Sequence, residues 1–381
     1  MPHDRTEAAA IDTDAARPGS DDLADLRSIV EGVGPFATVH LLLQPEEADA
    51  AERLDVRIRN ATGALAGAGA PEDVVAAVDA ALRTEPNPDG GTLAVVATTA
   101  GVRHRAVLAP EARVDLAEWA PLPRLTTLVE ARQAAVPHVV VLIDRTGADV
   151  IGVVGDDEQE ARQVRGDSAP ITKVHAGGWS DRRYDQRAES SWEENAGQVG
   201  TAVEQMAARV GAAFVAVAGD VRATALLRDA LPAELAARVQ EVDGTRHPDG
   251  SEDETAEALD RLVATASATV TAATLRDLRA EEARQGAAAA GPDDVLAALA
   301  ETRVDVLLVH DDPDDDRTAW FGPEAPHVGA DRATVAAMGV EDPQEGRLVD
   351  VAVRSALLSG AAVRVVPRTV DGGLGALLRW A

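Results

Sequence analysis

An α/β protein of several domains is predicted from three observations. Strand-length apolar runs alternate with longer amphipathic stretches, the 381 residues suit two to three domains of ordinary size, and apolar runs restart after junctions rich in proline and glycine. The division this gives is a disordered tail at residues 1–20, an N-terminal mixed α/β domain at 21–135, a central α/β domain at 136–275 and a C-terminal α/β sandwich at 276–381. Each domain is long enough to bury a core.

The elements follow in chain order. Asp22 to Glu31 reads as a short helix and Phe36 to Leu43 as a strand, then a helical stretch runs from about Glu46 to Ala66. Pro71-Glu72-Asp73 starts a second helix, and Thr92 to Thr98 and Arg103 to Leu108 are strand-like. After Pro137, the run His138 to Ile143, the turn DRTGAD and the run Val150 to Val154 spell a hairpin. Ile171 to His175 precedes a Gly-Gly tip and a long amphipathic helix with no strong breaker before Gly211. A buried strand at Ala213 to Ala218, a short helix from Val221 and a strand near Arg238 to Val242 complete this region.

His247 to Glu254 is polar and acidic, as a solvated loop should be, and Glu254 to about Ala287 is helical, with Thr265, Ser267, Thr269 and Thr271 lowering its propensity. Gly291-Pro292-Asp293-Asp294 caps the next helix. Val304 to His310 and Ala362 to Val366 are strands, Arg347 to Leu358 is a helix, and the terminal GGLGALLRW is expected as a last helical turn.

Composition limits the function. The formal charge is −29, from 36 Lys plus Arg against 65 Asp plus Glu, so a general polyphosphate binder is excluded and any nucleic-acid contact must be local. Lys173 is the single lysine. Positive charge is therefore almost all arginine, which can stack and pair bidentately. Without cysteine there is no disulfide framework, thiolate metal site or thiol nucleophile. The acidic N-terminus and the lack of a long apolar run predict a cytoplasmic protein with no membrane partner.

Against that background, residues 177–192, GGWSDRRYDQRAESSW, stand out. Only 2% of the chain is aromatic, yet its one tyrosine, Tyr184, and two of its five tryptophans, Trp179 and Trp192, lie here among Arg182, Arg183 and Arg187. Rings and guanidinium groups beside a Gly-Gly turn suit unpaired bases and phosphates. RNA, not DNA, is the expected ligand, and Gly177, Gly178, Trp179, Ser180, Arg182, Arg183, Tyr184 and Arg187 are the candidate binding residues. Ser180 reads as a helix N-cap. His175 is the nearest imidazole, but no Ser-His-Asp spacing accompanies it, so no catalytic residue is assigned. GAGAP near Gly67 and Gly69 lacks the preceding strand of a phosphate loop, and no cofactor is expected. The run His310-Asp311-Asp312-Pro313-Asp314-Asp315-Asp316 lacks the glycine turn and distal glutamate of a calcium loop and is expected as a solvated acidic loop without metal.

The pattern Gly177-Gly178-Trp179-Ser180-Asp181-Arg182-Arg183-Tyr184, at a loop-to-helix junction, resembles the Gly-Gly-Gln loop of the archaeal and eukaryotic class-one peptide release factors and of Pelota. The resemblance continues through the long helix and AFVAVAGDVRATALL, a strand ending in glycine before a helix. DVLLVHD and AVRVVP resemble the ribosomal-protein-like third domain of the same family. Among bacterial members, the chain looks most like the Balon-type and actinobacterial ribosome-hibernation factors. The resemblance implies a three-domain, release-factor-like architecture that occupies the ribosomal A site. The central domain would reach the acceptor end of the P-site tRNA, and an elongation-factor-type GTPase would be a further partner.

Trp179 departs from the family, which has glutamine there. An indole has one donor and no acceptor, and it fills the space of the attacking water. The reading is accordingly a non-hydrolytic factor acting in stress or stalling. Peptidyl-tRNA hydrolysis in ribosome rescue is the competing enzymatic reading, and a protein-interaction scaffold without ribosome contact is the third.

Overall fold

The computed structural model describes residues 11–13, 15, 23–32, 34–43, 50–84, 91–108, 114–144, 147–154, 195–244, 253–367 and 370–381, with the backbone alone at 158–165, 179–194 and 252. Two compact units emerge: residues 1–17 with 135–270, and residues 18–134 with 271–381. The segments expected as first and third domains thus lie in one unit.

That larger unit opens with α1 (Ala24–Val30) and β1 (Phe36–Leu43), followed by α2 (Ala50–Gly67), α3 (Glu72–Leu82), β2 (Gly91–Thr98), β3 (Gly101–Leu108), β4 (Leu116–Ala120) and α4 (Thr126–Ala134). The strands form an antiparallel sheet in the order β3-β2-β1-β4. Both of its faces are covered, which is why FATVHLLL and GTLAVVAT are almost continuously buried. Val39, Leu41, Leu93 and Val95 face α2 and α3 through Ile58, Leu65, Val74 and Val78. Phe36, Ala94 and Val96 point the other way, into a core shared with Leu26, Ile29, Leu128 and the C-terminal part of the unit.

The chain then builds the smaller unit from β5 (His138–Asp144), β6 (Gly147–Val154), β7 (Glu158–Arg165), α5 (Trp179–Val210), β8 (Phe214–Gly219), α6 (Val221–Ala230), α7 (Ala233–Ala236) and β9 (Val239–Glu241). Its sheet order is β7-β6-β5-β8-β9. The β5–β6 hairpin is antiparallel, as its sequence predicts, while β5, β8 and β9 are parallel. The next helix, α8 (Glu252–Arg284), contributes its residues up to Val270 here. Ala266 and Val270 pack with Val136, Phe214 and Ala216 on one face of the sheet. Val203, Met206 and Leu227 of α5 and α6 pack with Val141, Val150 and Val215 on the other. Threonines do not break α8; Thr265 and Thr269 donate their hydroxyls to the carbonyls of Arg261 and Thr265 at 2.7 and 2.8 Å within the continuous helix. The acidic stretch read as a loop to Glu254 also yields to this helix from Glu252 onward.

A second correction concerns the tail. Within residues 1–20, Ile11 and Ala15 pack against the Phe214 cluster, the Asp12 N–H donates to Ala213 O at 3.0 Å, and Arg238 pairs with the Asp12 carboxylate at 2.7 Å. One isoleucine and one paired aspartate suffice to dock a segment whose overall composition is polar.

The C-terminal part of the larger unit contains β10 (Ala288–Ala290), α9 (Pro292–Ala300), β11 (Val304–Val309), β12 (Thr318–Phe321), β13 (Val328–Gly329), α10 (Arg332–Ala337), β14 (Gln344–Arg347), α11 (Leu348–Ser359), β15 (Ala362–Val365) and β16 (Leu374–Leu378). Two sheets result, β10-β16-β11-β15 and the smaller β13-β12-β14. GGLGALLRW is not a helical turn. Gly372 and Gly373 turn the chain at φ +53° and +81°, and Leu374 to Leu378 then pairs with β10 on one side and β11 on the other. Unpaired backbone of β10 and β11 takes precedence over the helix propensity of leucine and alanine. Nor is the acidic run simply solvated: the Asp311 side chain is 17% exposed and bonded to Thr126 and Arg347.

Candidate nucleic-acid interface

The aromatic-arginine motif falls at the start of α5, and what fixes α5 is its second half. Ala196, Val199, Val203, Met206 and Val210 recur at three- and four-residue steps and bury against the sheet. Two glycines allow close seating. A Cβ on Gly152 of β6 would lie 2.6 Å from Met206 Sδ, and one on Gly200 would lie 3.3 Å from Ala230 O of α6. The helix stops at Val210 because Gly211 turns left-handed at φ +64° and the Ala212 N–H returns to Ala207 O at 2.9 Å.

Asn195, the first residue of α5 whose side chain is described, is 8% exposed. A small pocket of about 20 Å³ opens beside it, lined by Ile143, Asp144, Gly147, Asn195, Ala196, Val199, Ala223 and Leu226. It sits where β5 ends and α6 begins, at the place where chain order in the sheet reverses between β5 and β8. Sequence reading missed this pocket. The Asp144 to Gly147 turn was its only local signal, while Asn195 and Ala223 reach it through α5 and α6.

Gly219 ends β8 with φ +139°, and Asp220 caps α6 by accepting from the N–H groups of Arg222 and Ala223. A Cβ at 219 would fall 1.8 Å from Ile143 O, so the glycine in AFVAVAGD is demanded by the approach of the two parallel strands. Burial pushes the His138 imidazole below its ordinary value, and its bond to Val136 O pulls the other way.

Of the sequence-predicted residues, Gly177 and Gly178 lie outside the described residues, as do His175 and the strand expected at Ile171. Trp179, Ser180, Arg182, Arg183, Tyr184 and Arg187 occupy the opening turns of α5 by backbone, and their side chains lie outside the described residues. The helix begins at Trp179, so Ser180 is its second residue and not its cap. Positions 179, 183 and 187 recur at four-residue steps, and 180 and 184 do likewise, so the motif spreads over two helix faces. Among the described residues no group of three or more His, Cys, Asp or Glu could hold a metal ion, and no helix is long and apolar enough to cross a membrane.

Residues 137–284 match the family described as bacterial archaeo-eukaryotic release factor family 2. The match begins at the proline taken as a boundary and ends with the last residue of α8. Solved structures similar to the chain include ribosome-bound archaeal Pelota with ABCE1, at 17% identity, covering 95% of this chain and 94% of that one with a TM-score of 0.40. Pelota of Archaeoglobus fulgidus is 15% identical, with 96% and 93% covered and a TM-score of 0.37. An archaeal translation termination factor is 16% identical, with 96% and 99% covered and a TM-score of 0.28. No curated protein matches the chain. What these matches establish is a similarity of the segment 137–284, less than half of the chain, to the bacterial release-factor family of archaeo-eukaryotic type.

Proposed function

We propose that the chain is a ribosome-associated translation factor that occupies the A site under stress or stalling, with Gly177, Gly178 and Trp179 directed toward the peptidyl-transferase centre and without ester hydrolysis. The observation that carries this reading is the family match over 137–284, which includes the Gly-Gly motif and the whole of α5. A helix starting at Trp179 supports it. The N–H groups of its first turn, which have no acceptor within the helix, and Arg182 and Arg183 beside them in sequence favour a phosphate at this end. The remainder of a chain with net charge −29 is repelled by RNA, so attraction concentrates at the motif. The acceptor end of a P-site tRNA and an elongation-factor-type GTPase are the partners this placement requires.

Ribosome co-sedimentation tests it. Wild-type protein is expected in the 70S or 50S pellet, and Arg182→Glu/Arg183→Glu/Arg187→Glu is expected to pellet more weakly. The salt dependence of the triple variant should be shallower, by about one logarithmic unit for each phosphate it no longer neutralises. Equal pelleting of both proteins across a salt series would remove this surface from the interface.

A further inference from the structure

The larger unit buries a charged cluster at one edge of an otherwise apolar junction between its N-terminal sheet and its C-terminal part. Arg347, the residue before α11, stands between two carboxylates. Its Nη2 donates to Asp311 Oδ1 and, at 2.8 Å, to Asp312 O, while its Nη1 lies 3.6 Å from Asp350 Oδ1 without forming a hydrogen bond. The side chains of Arg347, Asp311 and Asp350 are 10%, 17% and 6% exposed. Asp311 also accepts from the Thr126 hydroxyl, which ties the acidic segment 311–316 to the start of α4. His40 of β1, Glu118 of β4 and Arg124, which pairs with Glu118 at 3.4 Å, complete the charged groups around Asp350 and Asp311, and Asp315 pairs outward with Arg317 at 2.6 Å. Arg347 Nε, Arg347 Nη1 and Asp350 Oδ1 are buried and without a hydrogen-bond partner among the described residues.

One guanidinium therefore serves the buried carboxylate of Asp350 and the half-buried one of Asp311, and among the described residues it uses only one of its three nitrogens as a donor. We propose that Asp311, Arg347 and Asp350 form a proton-operated switch, which holds the acidic segment 311–316 on the N-terminal part of the unit while Asp350 carries a proton and frees it when Asp350 is charged. With Asp350 neutral, the charges of Asp311, Arg347, Glu118 and Arg124 sum to zero. When the Asp350 proton passes to solvent, one uncompensated negative charge remains inside, where Coulomb interactions are strong. Arg347 Nη1 has no hydrogen-bond partner among the described residues and lies 3.6 Å from Asp350 Oδ1, so the nearest relief is for the guanidinium to turn from Asp311 to Asp350. Asp311 then loses its buried cation and draws its segment toward water. Burial, reinforced by Asp311 and Glu118 and opposed by Arg347 and Arg124, raises Asp350 to about 7, which places the change at neutral pH.

Hydrogen exchange of the full chain from pH 5.5 to 8.5, corrected for intrinsic rates, tests the switch. The amides of residues 311–317 are expected to lose protection as pH rises through about 7, by up to about tenfold per pH unit for a one-proton change, relative to the amides of β2 in the same unit. Asp350→Asn should keep them protected at every pH. If that variant does not fold, Asp311→Asn should leave the segment fast-exchanging at all pH values with no midpoint. A pH-independent wild type, or a wild-type midpoint retained in either variant, would overturn the proposal.

Discussion

His138 and Phe214 stack across the parallel β5–β8 pair, with ring centroids 5.0 Å apart and planes within 3° of parallel. His138 Nδ1 lies 2.8 Å from Val136 O, and Nε2 is buried without a partner among the described residues, so the ring is held as the neutral form with its hydrogen on Nδ1. Phe214→Ala should destabilise the smaller unit by about 3–5 kcal/mol through the cavity it leaves and the absence of the stack, measured by urea unfolding. Because burial lowers the folded-state value of His138, the stability of its neutral form is complete above the ordinary value of 6.5 and is lost as pH falls through the lower folded one. Acidification from pH 7 to 5 should therefore reduce unfolding stability in wild type more than in His138→Phe.

Gly219 gives a backbone test of the same sheet. Gly219→Ala places a Cβ against Ile143 O in a conformation that L-residues rarely adopt, at about 1–3 kcal/mol for the conformation alone with the clash added. Gly197→Ala, on an exposed position of α5 with nothing within 4 Å, should stabilise by about 0.5–1 kcal/mol. Thermal unfolding that ranks the two variants in the reverse order would refute this account of the strand-to-helix turn.

These residues also explain what the sequence could disclose. Strands buried on both faces, such as Phe36–Leu43 and Phe214–Gly219, read clearly because both neighbours demand apolar side chains, and α5 read clearly because its apolar spacing ends at Gly211. LAEWA escaped notice as β4, since five half-buried residues around Glu118 carry no lasting period. β16 was mistaken because LGALL suits either state and only its pairing with β10 and β11 decides. The motif at 177–187 was visible as composition, whereas the pocket at Asp144 and Asn195 is assembled from elements far apart in the chain, a juxtaposition that local patterns do not encode.

A pH experiment on the larger unit follows from His40, which is 2% exposed and lowered to about 4, first by burial and then by Arg124, with Asp311 opposing. Its neutral form stabilises fully above 6.5, and that stability disappears as pH falls through about 4. Asp350 runs the other way: raised from 3.8 to about 7, it contributes stability present below 3.8 that is lost as pH rises through 7. Between about 4 and 6.5 the two effects offset each other. His40→Gln should therefore make the unit gain stability on acidification across that window, with a slope difference from wild type of up to about 1.4 kcal/mol per pH unit. Parallel wild-type and variant curves would show that His40 does not titrate as its surroundings dictate.

The strongest demand on the proposed function falls on Trp179. If its indole stands where release factors place glutamine, the wild type should bind ribosomes carrying peptidyl-tRNA and release no peptide in a single-turnover assay. Trp179→Gln supplies an amide that can donate and accept and restores room for water, so measurable release is expected from that variant alone. Gly177→Ala/Gly178→Ala, combined with Trp179→Gln, should abolish the gained release and weaken binding while the thermal midpoint moves by only a few degrees, about the shift that 1 kcal/mol produces. Rapid release by the wild type would assign the protein to rescue hydrolysis instead. Absence of release from Trp179→Gln, with binding intact, would mean that more than this one side chain separates the loop from a hydrolytic one.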